Sequence, residues 1–252
     1  LLFHPANVQI QGGGRRPWQS NIISTMMIGG FYLEHPISYG LIGAFVMIFI
    51  AGLNDSGMMY RWMLSTYNIK HRHEWYRLLS SGFVHGGWMH LLLNVLGIYF
   101  FGTLVEYLAG GIIAISVFIA SVLGGGLYAW FIRRCDTDYQ AVGASGGVMG
   151  LLMCAVMWFD GIQLSLFLIP IGIPGWIFVI LFNLGSIVMT QTADRNRISH
   201  EGHLGGALIG GLMGYMFTPQ VPMTHSWWAF WLGTAPILLF AVAHGLRPRW
   251  FK

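Results

Sequence analysis

Charge is what this sequence has least of. Only 9% of its 252 residues are Asp, Glu, Lys or Arg, against roughly a quarter in ordinary soluble domains. With a mean hydropathy of +0.61, that scarcity excludes an ordinary soluble domain, whose surface needs many more charges. Cysteine is nearly missing as well. Cys135 and Cys154 permit one bridge at most, and Cys154 lies inside an apolar run with no partner in view, so no disulfide framework is expected. The net charge of +4 is scattered over short polar connections. Without a basic block or a basic helical face, a nucleic-acid binder is excluded. The opening Leu-Leu-Phe-His-Pro lacks a charged lead and a long apolar core, so the first spanning helix, not a cleavable signal, is expected to insert the chain.

Long apolar runs are what the chain has instead. A membrane-crossing helix takes about 20 mostly apolar residues. Seven segments come near that length, at about 37–53, 87–107, 111–132, 144–159, 175–190, 203–217 and 227–244. The expected fold class is therefore an all-α polytopic membrane protein. Residues 1–35, which include Gly12-Gly-Gly-Arg-Arg16, form an expected cytoplasmic lead-in. The one long polar connection, 54–85, carries Trp62, Tyr67, Lys70, Arg72, Trp75, Tyr76 and Arg77. That mixture suits an amphipathic structure half sunk in the membrane interface.

The fourth apolar segment is short and opens on Gly143-Ala-Ser-Gly-Gly147. If its apolar part is centred in the bilayer, Ser145 lies below the surface, where irregular backbone must be buried in protein or line a wet cavity. The sixth segment places Gly206, Gly210 and Gly214 at four-residue spacing on one helical face, a pattern for close helix packing. Polar groups within membrane segments are costly and point to function by default. Four stand out: His90 and Asn94, one turn apart on the second segment, Ser145 heading the fourth, and His203 heading the sixth. Alone, each has a plain structural explanation as a helix cap, a packing residue or an interhelical hydrogen-bonding group. Together they supply acyl-transfer chemistry. His203 has the pKa range of a general base for a serine nucleophile. Free N–H groups at the helix start, with His90 and Asn94, suit a developing oxyanion. Gly143 and Gly146 flank the serine and let a substrate backbone approach.

In these motifs the sequence resembles the rhomboid family of intramembrane serine proteases. Three matches carry the resemblance: Gly143-Ala-Ser-Gly146, His90-x-x-x-Asn94 within His85-Gly-Gly-Trp-Met-His-Leu-Leu-Leu-Asn94, and Gly202-His-Leu-Gly-Gly206. It covers about residues 37–217. Glu74-Trp-Tyr-Arg77 is similar to the family's first-loop segment, with its usual Trp-Arg pair interrupted by Tyr76. The resemblance implies Ser145 as nucleophile and His203 as general base, a dyad without a carboxylate. It implies an oxyanion hole from His90, Asn94 and the Ser145 N–H. The implied fold is a six-helix bundle around the short fourth helix, with a seventh helix added at the C-terminal end or lying flat on the surface. The domains read as lead-in 1–35, catalytic membrane domain 36–218, and added helix with tail 219–252. Transmembrane segments of other proteins are the implied substrates and lipid the surroundings. No cofactor, metal or nucleic acid is expected, and the implied location is a bacterial inner membrane.

Two departures carry expectations of their own. Met149 occupies a position where an aromatic ring often packs on the catalytic histidine, and its sulfur is expected to pack there instead. His200 and Glu201 precede the base and read as solvated loop residues, with tuning of the pH dependence as the alternative. A metal site is disfavoured because His200-Glu-Gly-His203 falls one residue short of His-Glu-x-x-His. A non-cleaving relative that binds membrane helices is the alternative function. The charges raise a conflict. Arg15 and Arg16 stand on one side, while Arg61, Lys70, Arg72, Arg77, Arg133, Arg134, Arg195, Arg197, Arg247, Arg249 and Lys252 stand on the other. The positive-inside rule would put the site in the cytoplasm, whereas the resemblance implies the opposite, and the resemblance is followed.

Overall fold

The structure, a computed structural model, describes residues 35–159, 162–166, 169–192, 199–217 and 226–246. The lead-in apart from His35 lies outside the described residues, as do Arg195, Arg197, Arg247, Arg249 and Lys252.

Each of the seven apolar segments is helical. Helix α1 spans Pro36–Asn54, with Pro36 in its first turn, where the missing N–H costs nothing. Its free N-terminal donors are met by a carboxylate from another helix. Glu106 accepts from the N–H of Ile37 at 3.0 Å, the N–H of Ser38 at 2.9 Å and the Ser38 hydroxyl at 2.7 Å. The polar connection folds into three short helices, α2 Ser56–Trp62, α3 Thr66–Arg72 and α4 Arg77–Ser80. Helix α5, Trp88–Gly97, runs through a π-helical turn at Ile98–Gly102 into α6, Thr103–Ala109. Then follow α7 Gly111–Arg133, α8 Ser145–Trp158, α9 Gly175–Thr192, α10 His200–Met216 and α11 Ser226–Leu246. Two small antiparallel pairs, unforeseen in the sequence, join connections. β1 Leu64–Ser65 pairs with β2 Gln140–Ala141, and β3 Gln163–Leu166 with β4 Ile169–Pro174.

Among the described residues, α1, the α5–α6 run and α7 are each long and apolar enough to cross a membrane. The outer helices expose Met47, Ile50, Ile112, Leu181 and Leu239, an apolar surface that calls for lipid. The chain is an all-α integral membrane protein. Helix α8 is different. At 14 residues it is about 21 Å long, roughly 9 Å less than the hydrocarbon core. It is buried from Met149 to Trp158, so protein surrounds it.

Helix α10 lies along α8 on its glycine face. A methyl group at Gly206 would run into the backbone of Gly146, and one at Gly210 into the backbone of Gly150. Gly214 faces the Met157 Sδ and Cys154 Sγ. Polar side chains cross the same seam, with Cys154 Sγ donating to the Gly210 carbonyl at 3.0 Å and Trp158 Nε1 to the Gly214 carbonyl at 2.8 Å. Helix α11 does not lie flat on a surface. Its Phe230, Thr234 and Ile237 are buried, Asn183 of α9 donates to the Gly233 carbonyl, and Tyr128 of α7 donates to the Ile237 carbonyl.

Candidate active site

Ser145 is the first residue of α8. The chain reaches it through Gly143, whose φ of +119° suits glycine. A side chain there would also strike the Nε2 edge of the His90 ring. The Gly143 N–H donates to the Ser81 carbonyl at 2.8 Å, and β2 is stapled to β1, so the turn is held from both sides. The first bond within α8 runs from the Val148 N–H to the Ala144 carbonyl. Helix geometry therefore leaves the N–H groups of Ser145, Gly146 and Gly147 without intrahelical partners, at the positive end of the helix dipole.

His203 lies in the first turns of α10 and is 8% exposed. Its Nε2 is 2.7 Å from Ser145 Oγ. For the hydroxyl to donate to Nε2, the imidazole must be neutral with its proton on Nδ1. Among the described residues Nδ1 has no hydrogen-bond partner. Orientation of the ring therefore falls to packing. Phe182 of α9 lies with its ring centre 5.4 Å from that of His203, tilted by 46°, and the His200 ring stands edge-on at 5.8 Å.

The remaining sequence-selected residues gather around this pair. His90 is half-buried against Gly143. Asn94 is buried and donates one amide proton to the His90 carbonyl at 2.8 Å, leaving its second proton available. A cavity of about 30 Å³ adjoins the serine, lined by Ser81, Gly143, Ser145, Gly146, Ser199 and Gly202 among others, which is room for a water. His85 is fully buried beside His90, with ring centres 5.4 Å apart. Burial and the neighbouring His90 push its pKa down to about 4, so it is neutral near pH 7.

Two sequence expectations need amending. Glu201 is not a solvated loop residue: it is 2% exposed and ion-paired with Arg133. His200 is half-buried at the start of α10. An aromatic neighbour of His203, which the sequence reading does not name, is Phe182 of α9; Met149 is buried in α8. Arg77, separated from its tryptophan by Tyr76, is a buried brace. It donates to the carbonyls of Tyr60 and Met63 at 2.8 Å each and pairs with Glu74 at 2.6 Å.

A helical membrane bundle with a serine and a histidine in hydrogen-bond contact at the mouth of an enclosed short helix points to one class of membrane protein, and the comparisons agree. The Rhomboid domain family model matches residues 72–220, more than half of the sequence. The chain belongs to the rhomboid family. It is 32% identical over 138 residues to the rhomboid protease GluP of Bacillus subtilis, covering 55% of this chain and 25% of that protein. It is 31% identical over 157 residues to rhomboid-like protease 5 of Toxoplasma gondii, 60% of this chain and 17% of the relative. With the mitochondrial rhomboid protein 1 of Saccharomyces cerevisiae it shares 27% identity over 150 residues, 57% and 42% of the two chains. The chain thus spans less than half the length of each of these relatives.

Proposed function

We propose that this protein is an intramembrane serine endopeptidase that cleaves transmembrane segments of other membrane proteins with Ser145 and His203. The single observation that carries the proposal is the 2.7 Å contact between Ser145 Oγ and His203 Nε2 at the N-terminal end of α8. Two relatives are named as proteases, which supports the same reading.

In this mechanism Ser145 Oγ attacks the scissile carbonyl carbon while its proton passes to His203 Nε2. The new oxyanion is met by the Ser145 N–H, the ring of His90 and the free amide proton of Asn94. The imidazolium returns its proton to the amide nitrogen, the C–N bond breaks, and the new amine leaves. Water then attacks the Ser145 ester through the same histidine and releases the carboxylate, restoring the serine. The cavity beside Ser145 offers that water a place. Gly143 and Gly146 leave space for an extended substrate backbone. Catalysis is assigned to the bundle 36–218, with 219–252 as an added helix and tail. The bacterial plasma membrane is the proposed location, and fractionation of the source cells tests it.

The test is labelling of detergent-purified protein with a fluorophosphonate probe, which reacts with activated serines. Labelling should be lost in Ser145→Ala and in His203→Ala. Folded wild type that does not label would instead support a membrane-helix binder that does not cut.

A further inference from the structure

One cluster of buried charge has no part in that chemistry. Arg133, at the end of α7, donates from Nε to Glu201 Oε1 at 2.5 Å and from Nη2 to the Thr190 carbonyl of α9 at 2.8 Å. The Tyr139 hydroxyl donates to Glu201 Oε2 at 3.0 Å and lies 2.7 Å from Ser199 Oγ. Ser199 in turn caps α10 by accepting the Gly202 N–H at 2.9 Å. A phenol has one proton. With that proton on Glu201, the Ser199 hydroxyl donates to the phenol oxygen. The bonds then run in one direction, from Gly202 through Ser199 and Tyr139 to the carboxylate, which Arg133 closes from the other side. Burial, and then the Glu201 charge, hold the Tyr139 pKa well above the usual tyrosine range, so it remains a donor at any working pH.

The placement of this cluster gives it meaning. Tyr139 stands just ahead of Ser145 in the chain, and Ser199 and Glu201 just ahead of His203. Arg133 adds the ends of α7 and α9. The network therefore joins the two segments that deliver the serine and the histidine, and through Thr190 it also holds the helix that carries Phe182. No described residue fixes His203 through Nδ1, so the position of the first turn of α10 sets where Nε2 lies. Stability alone does not explain the pair, since well-packed apolar residues replace a buried ion pair at little or no cost.

We propose that Glu201, clamped by Arg133 and Tyr139, is a positioning residue that fixes the first turn of α10 so that His203 Nε2 meets Ser145 Oγ. The proposal rests on the dyad reading above. Its test uses the full chain in detergent, a fluorophosphonate probe and melting temperatures. The variants are Glu201→Gln, Arg133→Met and the double Arg133→Met/Glu201→Leu. Arg133→Met leaves the buried Glu201 carboxylate without its counter-ion and should melt lower, whereas the double should recover much of the melting temperature. The limiting labelling rate should fall at least about tenfold in Glu201→Gln and stay low in the double, because a misplacement near 1 Å is enough for such losses. The half-saturating probe concentration should hold within about twofold, since ground-state binding is untouched. A refolded double variant that labels at the wild-type rate would overturn the proposal, as would folded Glu201→Gln with unchanged kinetics. Should the single variants fail to fold, the double decides. Persistent labelling of Ser145→Ala or His203→Ala would instead sink the dyad, a result independent of the network.

Discussion

Alanine placed along the α8–α10 seam should do graded damage. At Gly206 the added methyl carbon would lie 2.6 Å from the Gly146 carbonyl carbon and 2.7 Å from its Cα. Carbon pairs settle near 3.5–4.0 Å, so the two helices must part by roughly 1 Å. The obstacle is backbone, which has no rotamer to change. Overpacking costs about 1–3 kcal/mol, and Gly206→Ala is expected at the upper end. Gly210→Ala meets the Gly150 backbone in the same way, with its carbonyl carbon 2.6 Å away. Gly214→Ala meets the Met157 Sδ at 3.2 Å and the Cys154 Sγ at 3.3 Å, with the nearest backbone atom, the Cys154 Cα, at an ordinary contact distance of 3.5 Å. A thioether gives way easily, so that change should cost less than about 1 kcal/mol. For a chain of this size 1 kcal/mol corresponds to about 2–4 °C. Melting in detergent should therefore fall by roughly 6–12 °C for Gly206→Ala and by only a few degrees for Gly214→Ala. Because Gly206 follows His203 by one turn, its displacement also reaches the 2.7 Å serine contact. Fluorophosphonate labelling should drop at least about tenfold well below the melting point. Equal damage at Gly206 and Gly214, or a harmless Gly206→Ala, would refute the reasoning.

Other outcomes follow from single contacts. Glu106→Ala strands three donors at the start of α1 and should cost at least about 2 kcal/mol by thermal melting, with Glu106→Gln milder because one acceptor oxygen survives. Phe182→Leu removes the ring packed on His203; an aromatic pair contributes about 0.5–1.5 kcal/mol, so labelling should slow about twofold to tenfold with little change in melting. Unchanged labelling would remove Phe182 from the site. For orientation, Lys70→Cys in a Cys135→Ser background places a thiol at an exposed position of α3. It should react with a membrane-impermeant reagent in intact cells if the site opens outward, and reaction only after lysis would reverse that orientation.

The parts legible in the sequence are those whose chemistry or periodicity is local. Ser145 and His203 are read from residue type and from their place at the head of apolar runs. Gly206, Gly210 and Gly214 are read from spacing. Pairings between distant segments carry no such signature. Arg133 and Glu201 are 68 positions apart, and each has an innocent local explanation, as a helix-end cation and as a loop acid. An arginine ending one apolar run and an acid opening another were the available hint of a buried pair. The same limit touches the charge count, in which Arg77 and Arg133 read as topology signals although both brace the fold through backbone carbonyls. Phe182 is hidden for a different reason. From Trp176 to Phe182 every residue of α9 is apolar, so periodicity there cannot tell which aromatic turns inward. The two-residue strands β1 and β2 are too short for any alternation to register.

The proposed hydrolysis inside a bilayer requires a polar site where no polar backbone can face lipid, and the short helix answers both demands. Since α8 is about 21 Å long, anchoring its far end at one surface leaves Ser145 roughly 9 Å beneath the other. Exposed to lipid, such an end would leave its free N–H groups unsatisfied. Enclosure by α5, α7, α10 and α11 removes that cost, and it is possible only if neighbouring backbones come close enough to seal the helix. The glycine seam with α10 provides that closeness at the level of the proposed dyad. On the proposed function, the glycines serve the chemistry as well as the packing. They bring His203 within reach of Ser145 and close the seam between α8 and α10, while the loops at the Ser145 end are stapled by β1–β2 and braced by Arg77.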